Sequence, residues 1–276
     1  MRGSQNLKPY WKDLCAARAA VLSAHVLWPA FGLEPAPYGT DSLDALAARL
    51  TSRSSEQGVA VLDIGRPLTA DALVQLGWRM GTVLAERDPA VTSFCENEYV
   101  LNLRSTEDAG DFELQPFSPR ELFAHTEASH RPSGQRPTWI VLQCLTANED
   151  DASAQTVAIA MDAVARCLSA VQLETLRSTQ RVGSSHPVVE CDAPVFALRD
   201  PSVTDDRFTS DSGKEAADAA VLAAMKAVYQ TRLVRRIPWR PGVIAAIDNT
   251  KVFHARTAGE PHGSRHLQRV RVRRVG

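Results

Sequence analysis

The chain has 276 residues, enough for one large domain with a sizeable buried core. Its 31 basic and 32 acidic residues leave a net charge of −1, which gives no general attraction to nucleic acid or to an anionic membrane. Five cysteines, odd in number and with no C-x-x-C spacing, argue against a zinc–cysteine site and for a reducing compartment.

Met1-Arg2-Gly3-Ser4-Gln5 leads into no apolar run, and no stretch is long enough to span a bilayer, so a cytoplasmic location is expected. Apolar positions near helical spacing predict a first helix from about Leu7 to Leu27, broken by Pro29, Gly32, Pro35 and Pro37. A second helix is expected over Asp41 to Arg53, then a short buried strand from Gly58 to Ile64. Thr69 is placed to cap a third helix reaching about Glu86. Tyr99 to Arg104 reads as a strand and Ser105 to Gly110 as a polar loop.

The stretch Leu122 to Glu127 reads as a further strand, followed by a polar, mobile-looking segment from Ser129 to Gln135. Thr138 to Leu145 is a near-continuous apolar run, as in a strand covered on both faces. Helices are expected over Val157 to Ala170, Leu173 to Gln180 and Lys214 to Arg232, and strands over Val188 to Phe196 and Val243 to Ile247. Asp200 to Gly213 is a Ser/Asp/Thr-rich loop. In the last strand Arg265, Leu267, Arg269 and Arg271 share one face, and His266, Gln268, Val270 and Val272 the other. Short strands, long insertions and no Gly-x-Gly-x-x-Gly argue against a dinucleotide-binding sheet and for an α+β jelly-roll sandwich braced by helices. A single domain over residues 1–276 is expected, with a helical part to about 56 and the jelly-roll core from about 57.

The residues that carry chemistry start at His125 and Glu127. In an extended strand the two side chains share a face, giving one imidazole and one carboxylate of a two-His, one-carboxylate triad. The third ligand must come from another strand, and His254 is the candidate. His125-x-Glu127, then Asp248-Asn249 before His254, then Arg265 and Arg269, resemble the taurine dioxygenase/clavaminate synthase-like family of Fe(II)/2-oxoglutarate oxygenases. Gly242 in Trp239-Arg240-Pro241-Gly242 matches that family's turn into the strand before its distal histidine.

The resemblance implies a double-stranded β-helix core with His125, Glu127 and His254 as iron ligands. It implies that Arg265 holds the far carboxylate of 2-oxoglutarate, for which a guanidinium supplies two parallel donors. Thr156, in Ser153-Ala154-Gln155-Thr156, matches a threonine on that carboxylate, although the family's two turn glycines are missing. Arg269 matches a position that meets the substrate's acidic group, and Asn102 lies on a strand beside the substrate; a satisfied buried amide is the alternative for Asn102. Asp211, in the segment Asp205 to Asp211, is a candidate lid carboxylate for a cationic substrate group, against a solvated loop. His130, His186, His262 and His266 have no partner spacing and read as surface or capping histidines. The run Arg269, Arg271, Arg273 and Arg274 lacks interleaved aromatics and reads as a charged terminal strand.

Function follows from the resemblance: an Fe(II)-, 2-oxoglutarate- and O2-dependent dioxygenase, hydroxylating a free amino acid or related small molecule of specialised metabolism. Family halogenases replace the acidic ligand with a small residue, so Glu127 points to hydroxylation, with desaturation the lesser outcome. The alternatives are a hydroxylase of an amino acid on a peptidyl carrier protein, and a jelly-roll binding protein that retains the metal site.

Overall fold

The structure, a computed structural model, describes residues 12–23, 26–37, 39, 42–105, 116–150, 152–190, 194–203, 206–260 and 263–275. Residues 7–11 of the first expected helix, Asp41, most of the expected loop Ser105 to Gly110, Cys191, Asp205 and His262 lie outside the described residues.

The chain opens with helix α1 (Lys12–Leu22), strand β1 (Glu34–Pro35), helix α2 (Leu43–Gln57) and strand β2 (Val59–Asp63). Gly58 ends α2 in the left-handed region (φ 81°), where its N–H donates to the Ser54 carbonyl. Thr69 caps helix α3 (Ala70–Met80) through Ala72 N–H at 3.2 Å. That helix stops at Met80 rather than near Glu86, and Thr82–Leu84 forms strand β3 against the end of the chain. Strands β4 (Cys95–Glu96), β5 (Val100–Arg104), β6 (Leu122–His125) and β7 (Trp139–Thr146) follow.

The expected helix from Val157 is instead strand β8 (Thr156–Ala160), and only then helix α4 (Met161–Arg166). Ladders on both sides of β8 outweigh the helical spacing of its alanines. Helix α5 (Ala170–Ser178) opens on a capping box made by Ser169 and Gln172. Strands β9 (Gln180–Arg181), β10 (Val189–Glu190), β11 (Val195–Phe196) and β12 (Phe208–Thr209) are two-residue pieces, so Val188 to Phe196 is an antiparallel pair rather than one strand. Helix α6 (Lys214–Val228) leads to β13 (Arg235–Arg236), β14 (Val243–Asp248), β15 (Val252–Arg256) and β16 (His266–Arg273).

Among the described residues, eight strands form one sheet in the order β1-β2-β14-β7-β16-β5-β4, with β3 also on β16. Four more form a second sheet, β13-β8-β15-β6. The architecture is mixed, helix over sheet over sheet over helix. Alternation along β14 shows why: Ile244 and Ala246 pack towards α2 and α3 with Leu46, Leu50, Leu73 and Leu76, while Val243, Ala245 and Ile247 face the second sheet. Ala158 and Val252 of the second sheet meet that inner face, and Phe253 and Ala255 turn outward to α6 residues Val221, Ala224 and Val228. Each such fully buried aliphatic side chain contributes roughly 1.5–3 kcal/mol relative to exposure. No helix among the described residues is long and apolar enough to cross a membrane.

The sandwich places β15 and β16 on opposing sheets with their polar residues between them. Gly242 sets the start of β14 at φ +86°, and a Cβ there would lie 2.6 Å from the Arg66 nitrogen and 2.7 Å from the Gly65 carbonyl carbon. Both obstacles are backbone. Gly242→Ala is therefore expected to lower the unfolding free energy by about 2 kcal/mol or more, from left-handed strain plus the clash; an unchanged urea midpoint would contradict it.

Candidate active site

His125 ends β6 and faces His254 of β15 directly in the antiparallel register. The two rings lie 4.2 Å apart between centroids. Strand β6 is fixed from behind: Ala124 N–H donates to the Tyr229 hydroxyl, which donates to Asp200 at 2.8 Å, and Arg18 pairs with the same carboxylate at 3.1 Å. Burial and the neighbouring Asp200 hold the Tyr229 hydroxyl protonated, well above its usual range.

Glu127 lies two residues beyond His125, past the end of the strand rather than within it. Asn249 holds it there. The Asn249 side-chain oxygen accepts from Glu127 N–H at 2.7 Å, and its amide donates to the carbonyls of Glu127 (3.1 Å) and Pro137 (3.0 Å). Ala128 then turns the chain sharply away at φ 55°. Asp248 caps the adjoining turn through Thr250 N–H and hydroxyl. The Asp248-Asn249 pair is thus a mechanical part of the site, which its sequence spacing does not reveal.

The donor atoms of His125, Glu127 and His254 lie within 4.8 Å of one another. Glu127 Oε2 is 3.8 Å from His125 Nε2 and 4.0 Å from His254 Nε2. Its other oxygen, Oε1, accepts from Arg269 Nη1 at 3.2 Å and Arg271 Nη1 at 3.4 Å. One oxygen is therefore held by guanidiniums and the other is turned to the imidazoles. Burial raises the Glu127 pKa, but Arg269, His125 and Arg271 outweigh it and keep the carboxyl well below its usual range. Burial, with His125 beside it, pushes His254 down to about 3. His125 Nδ1 lies 2.8 Å from the Phe123 carbonyl, which selects the tautomer with Nε2 free. An ionised carboxylate and imidazole nitrogens free of protons are the states in which these groups bind a first-row cation. The set fits a ferrous ion.

The three residues line a cavity of about 520 Å³ with apolar walls that include Leu101, Leu103, Ile140, Leu142 and Leu267. Arg265, just before β16, and Leu267, Arg269 and Arg271 within it all line the cavity, as alternation along that stretch predicts. Arg269 and Arg271 are thus not a solvated charged strand. Glu86, just after β3, accepts from both at 2.9 Å and completes a buried four-residue ion cluster with Glu127. Glu86 has no motif around it, and its place in the cluster is not legible in the sequence.

Arg265 has no acidic partner among the described residues. Its Nη1 donates weakly to Thr156 Oγ1 at 3.4 Å, which also accepts from Trp239 Nε1 at 2.9 Å. Burial lowers the Arg265 pKa to about 10, so it stays charged at neutral pH. The turn before Thr156 keeps a left-handed residue, Ala154 at φ 51°, where glycine would be cheaper. The arrangement leaves a guanidinium and a hydroxyl proton together at one end of the cavity, suited to a carboxylate.

Two expected site residues are not brought to the cavity. Asn102 points to the opposite face of β5 from Leu101 and Leu103, and its oxygen accepts from His266 (2.8 Å) and Gln268 (3.1 Å). Asp211 is exposed in the turn before α6, away from the cavity lining. Asp206 of the same expected lid is tied down by Arg199 at 2.9 Å and Arg181 at 3.4 Å, and Phe208 is buried. One histidine differs from expectation: His266 is buried, with burial lowering its pKa to about 4; His130 is exposed, as expected, and also lines the cavity.

Residues 26–271 match the profile of the taurine catabolism dioxygenase TauD, TfdA family. The chain belongs to that family, and so to the 2-oxoglutarate-dependent non-haem iron oxygenases. Among solved structures it is similar to PvcB of Pseudomonas aeruginosa, at 18% identity over 91% of this chain and 89% of that one, with a TM-score of 0.66. The asparagine oxygenase AsnO is similar at 21% identity, 94% and 82% coverage and a TM-score of 0.64. The non-haem iron oxygenase OrfP, in complex with (3S)-hydroxy-L-Arg, is similar at 18% identity, 87% and 81% coverage and a TM-score of 0.62. At these identities the likeness speaks for the fold. No curated protein matches the chain by sequence.

Asn249→Ala would leave Glu127 N–H without its acceptor and release the Glu127 carbonyl. Lost orientation of a metal ligand costs about ten- to a hundredfold in affinity. Calorimetric titration with Mn(II) under nitrogen is expected to show that loss while circular dichroism stays unchanged; wild-type affinity in the variant would refute the clamp.

Proposed function

We propose that the chain hydroxylates an unactivated C–H bond of a free amino acid or amino-acid-like small molecule, with His125, Glu127 and His254 as ligands to Fe(II). The observation that carries the reading is the convergence on one apolar-walled cavity of those three side chains and of Arg265, which has no acidic partner among the described residues. The facing sheets are read as the double-stranded β-helix of the family, in one domain. The names of AsnO, an asparagine oxygenase, and of the OrfP complex with a hydroxylated arginine support an amino-acid substrate. The cysteine pattern supports a cytoplasmic setting.

Ferrous iron held there, with 2-oxoglutarate and dioxygen as cosubstrates, would supply the oxidation of the C–H bond. The chain does the rest by position. Asn249 fixes the backbone of Glu127, and the Arg269–Arg271 pair fixes its rotamer. Arg265 and Thr156 orient the cosubstrate by its far carboxylate. Leu142 and Leu267 line the same cavity and give it apolar wall.

The direct test incubates the protein with Fe(II), 2-oxoglutarate, air and each of the amino acids in turn. Succinate and a product heavier by one oxygen atom are expected, and His125→Ala should abolish both; no metal-dependent succinate with any substrate would sink the reading.

Arg265→Ala removes a charge-assisted fork worth roughly 1.5–3 kcal/mol. Binding of 2-oxoglutarate to the Mn(II)-loaded protein is expected to weaken about ten- to a hundredfold. Arg265→Lys should lose less, because lysine keeps the charge without the paired donors. Equal affinities across all three proteins would place the anchor elsewhere.

A further inference from the structure

A second groove of about 480 Å³ adjoins the cavity, and the two share Ala85, Arg87, Ala128, Arg131 and Arg271 as wall. Four arginines line this groove, Arg87, Arg131, Arg271 and Arg273, and no acidic residue does. Arg271 is the hinge between the two spaces: one Nη meets Glu127 and the other Glu86. Arg87, Arg131 and Arg273 have no acidic partner among the described residues. The Arg273 Nη1 donates only to the Gly134 carbonyl at 3.3 Å, and Arg131 Nε to His130 at 3.4 Å. Asp88, on the cavity rim, is turned back on its own loop by Ala90 N–H at 3.0 Å.

The charges do not balance without a ligand. With Glu127 assigned to the metal, Glu86 is one negative charge against two, Arg269 and Arg271. Arg265 is already matched by the far carboxylate of the cosubstrate. One anionic group is thus called for inside the cavity, beside the cluster. The three outer arginines then form a separate positive wall with no acidic side chain opposite it among the described residues. A low-dielectric cleft of one sign focuses its field on a ligand of the other sign, and planar forks favour carboxylate and phosphate oxygens.

We propose that the primary substrate carries two anionic groups. One is met by the Arg269–Arg271 pair over Glu86, and the other lies in the groove walled by Arg87, Arg131 and Arg273. The substrate class is therefore an acidic amino acid or its ω-phosphorylated counterpart, rather than a cationic one. This deepens the reading of the site as an iron- and 2-oxoglutarate-dependent oxygenase and rests on it. Arg131 and Arg273 act here on specificity alone, since neither touches a metal ligand.

The test is calorimetric binding to the protein loaded with Mn(II) and 2-oxoglutarate under nitrogen, so that no turnover intervenes. The probes are L-aspartate, L-glutamate, L-2-aminoadipate and O-phospho-L-serine, set against L-asparagine, L-glutamine, L-norleucine and L-lysine. At least one acidic member is expected to bind about tenfold or more tightly than its neutral counterpart, as a charge-assisted contact requires. Whether the carboxylates or the phosphate monoester bind best identifies the second group. The double variant Arg131→Gln, Arg273→Gln should lose about fivefold of that preference, the modest effect of two exposed charges. It should bind the neutral members and 2-oxoglutarate as the wild type does, and the wild-type preference should shrink as salt is raised. The proposal is overturned if neutral or cationic members bind best, if the double variant keeps the full preference, or if no acidic member binds at millimolar concentration. The first titration, of 2-oxoglutarate alone, separates the two levels. Should it show no metal-dependent binding, the oxygenase reading fails and takes this inference with it; should it bind while the acids do not, only the substrate class fails.

Discussion

The structure turns on keeping one ionised carboxylate, Glu127, dry and correctly rotated between two imidazoles. A carboxylate removed from water strongly prefers to take up a proton, and a protonated acid is a poor metal ligand. The protein resists this with two guanidiniums on Oε1, themselves held by Glu86, so that four largely buried charges hold one another in place. Neither arginine can be read as a substrate ligand alone, because each already orients Glu127. The ion cluster ties the geometry of the proposed metal site to that of the cavity around it.

Backbone constraint matters as much as charge. Glu127 sits beyond the last ladder bond of β6, where a chain would ordinarily be free to fray. Asn249 supplies in its place three hydrogen bonds from one side chain, joining the turn after β14 to the segments around Glu127 and Pro137. Because β14 is a covered interior strand of the larger sheet and β15 carries His254, the same short turn sets the relative position of Glu127 and His254. The metal site is in this sense built on a sheet core and not on a loop.

The sandwich then sorts the remaining polar residues by strand alternation. Arg269 and Arg271 fall on the inner face of β16, with Arg265 just before the strand on the same side, and Asn102 falls on the outer side of β5, where it closes a hydrogen-bond set with His266 and Gln268. A shift of one residue in either strand would exchange these sets. The register is held by the apolar partners on each face, among them Val270 and Val272 against α3.

The sequence by itself determined the residues with a local signature. His125-x-Glu127 and His254, the shared face of Arg265, Arg269 and Arg271, the cap at Thr69 and the buried run of β7 follow from period two, from capping chemistry and from motif spacing, all of which are local. The same local rules misread β8, whose alanines have helical spacing, and the family resemblance placed Asn102 and Asp211 at the site, where neither lines the cavity. Only the tertiary structure decided that Glu86 joins Arg269 across 183 residues, that Asn249 grips Glu127 across 122, and that Asp211 stays in solvent. Those contacts depend on which strands lie side by side and in what register. That choice is made by burial summed over whole sheets, and no single stretch of sequence carries it.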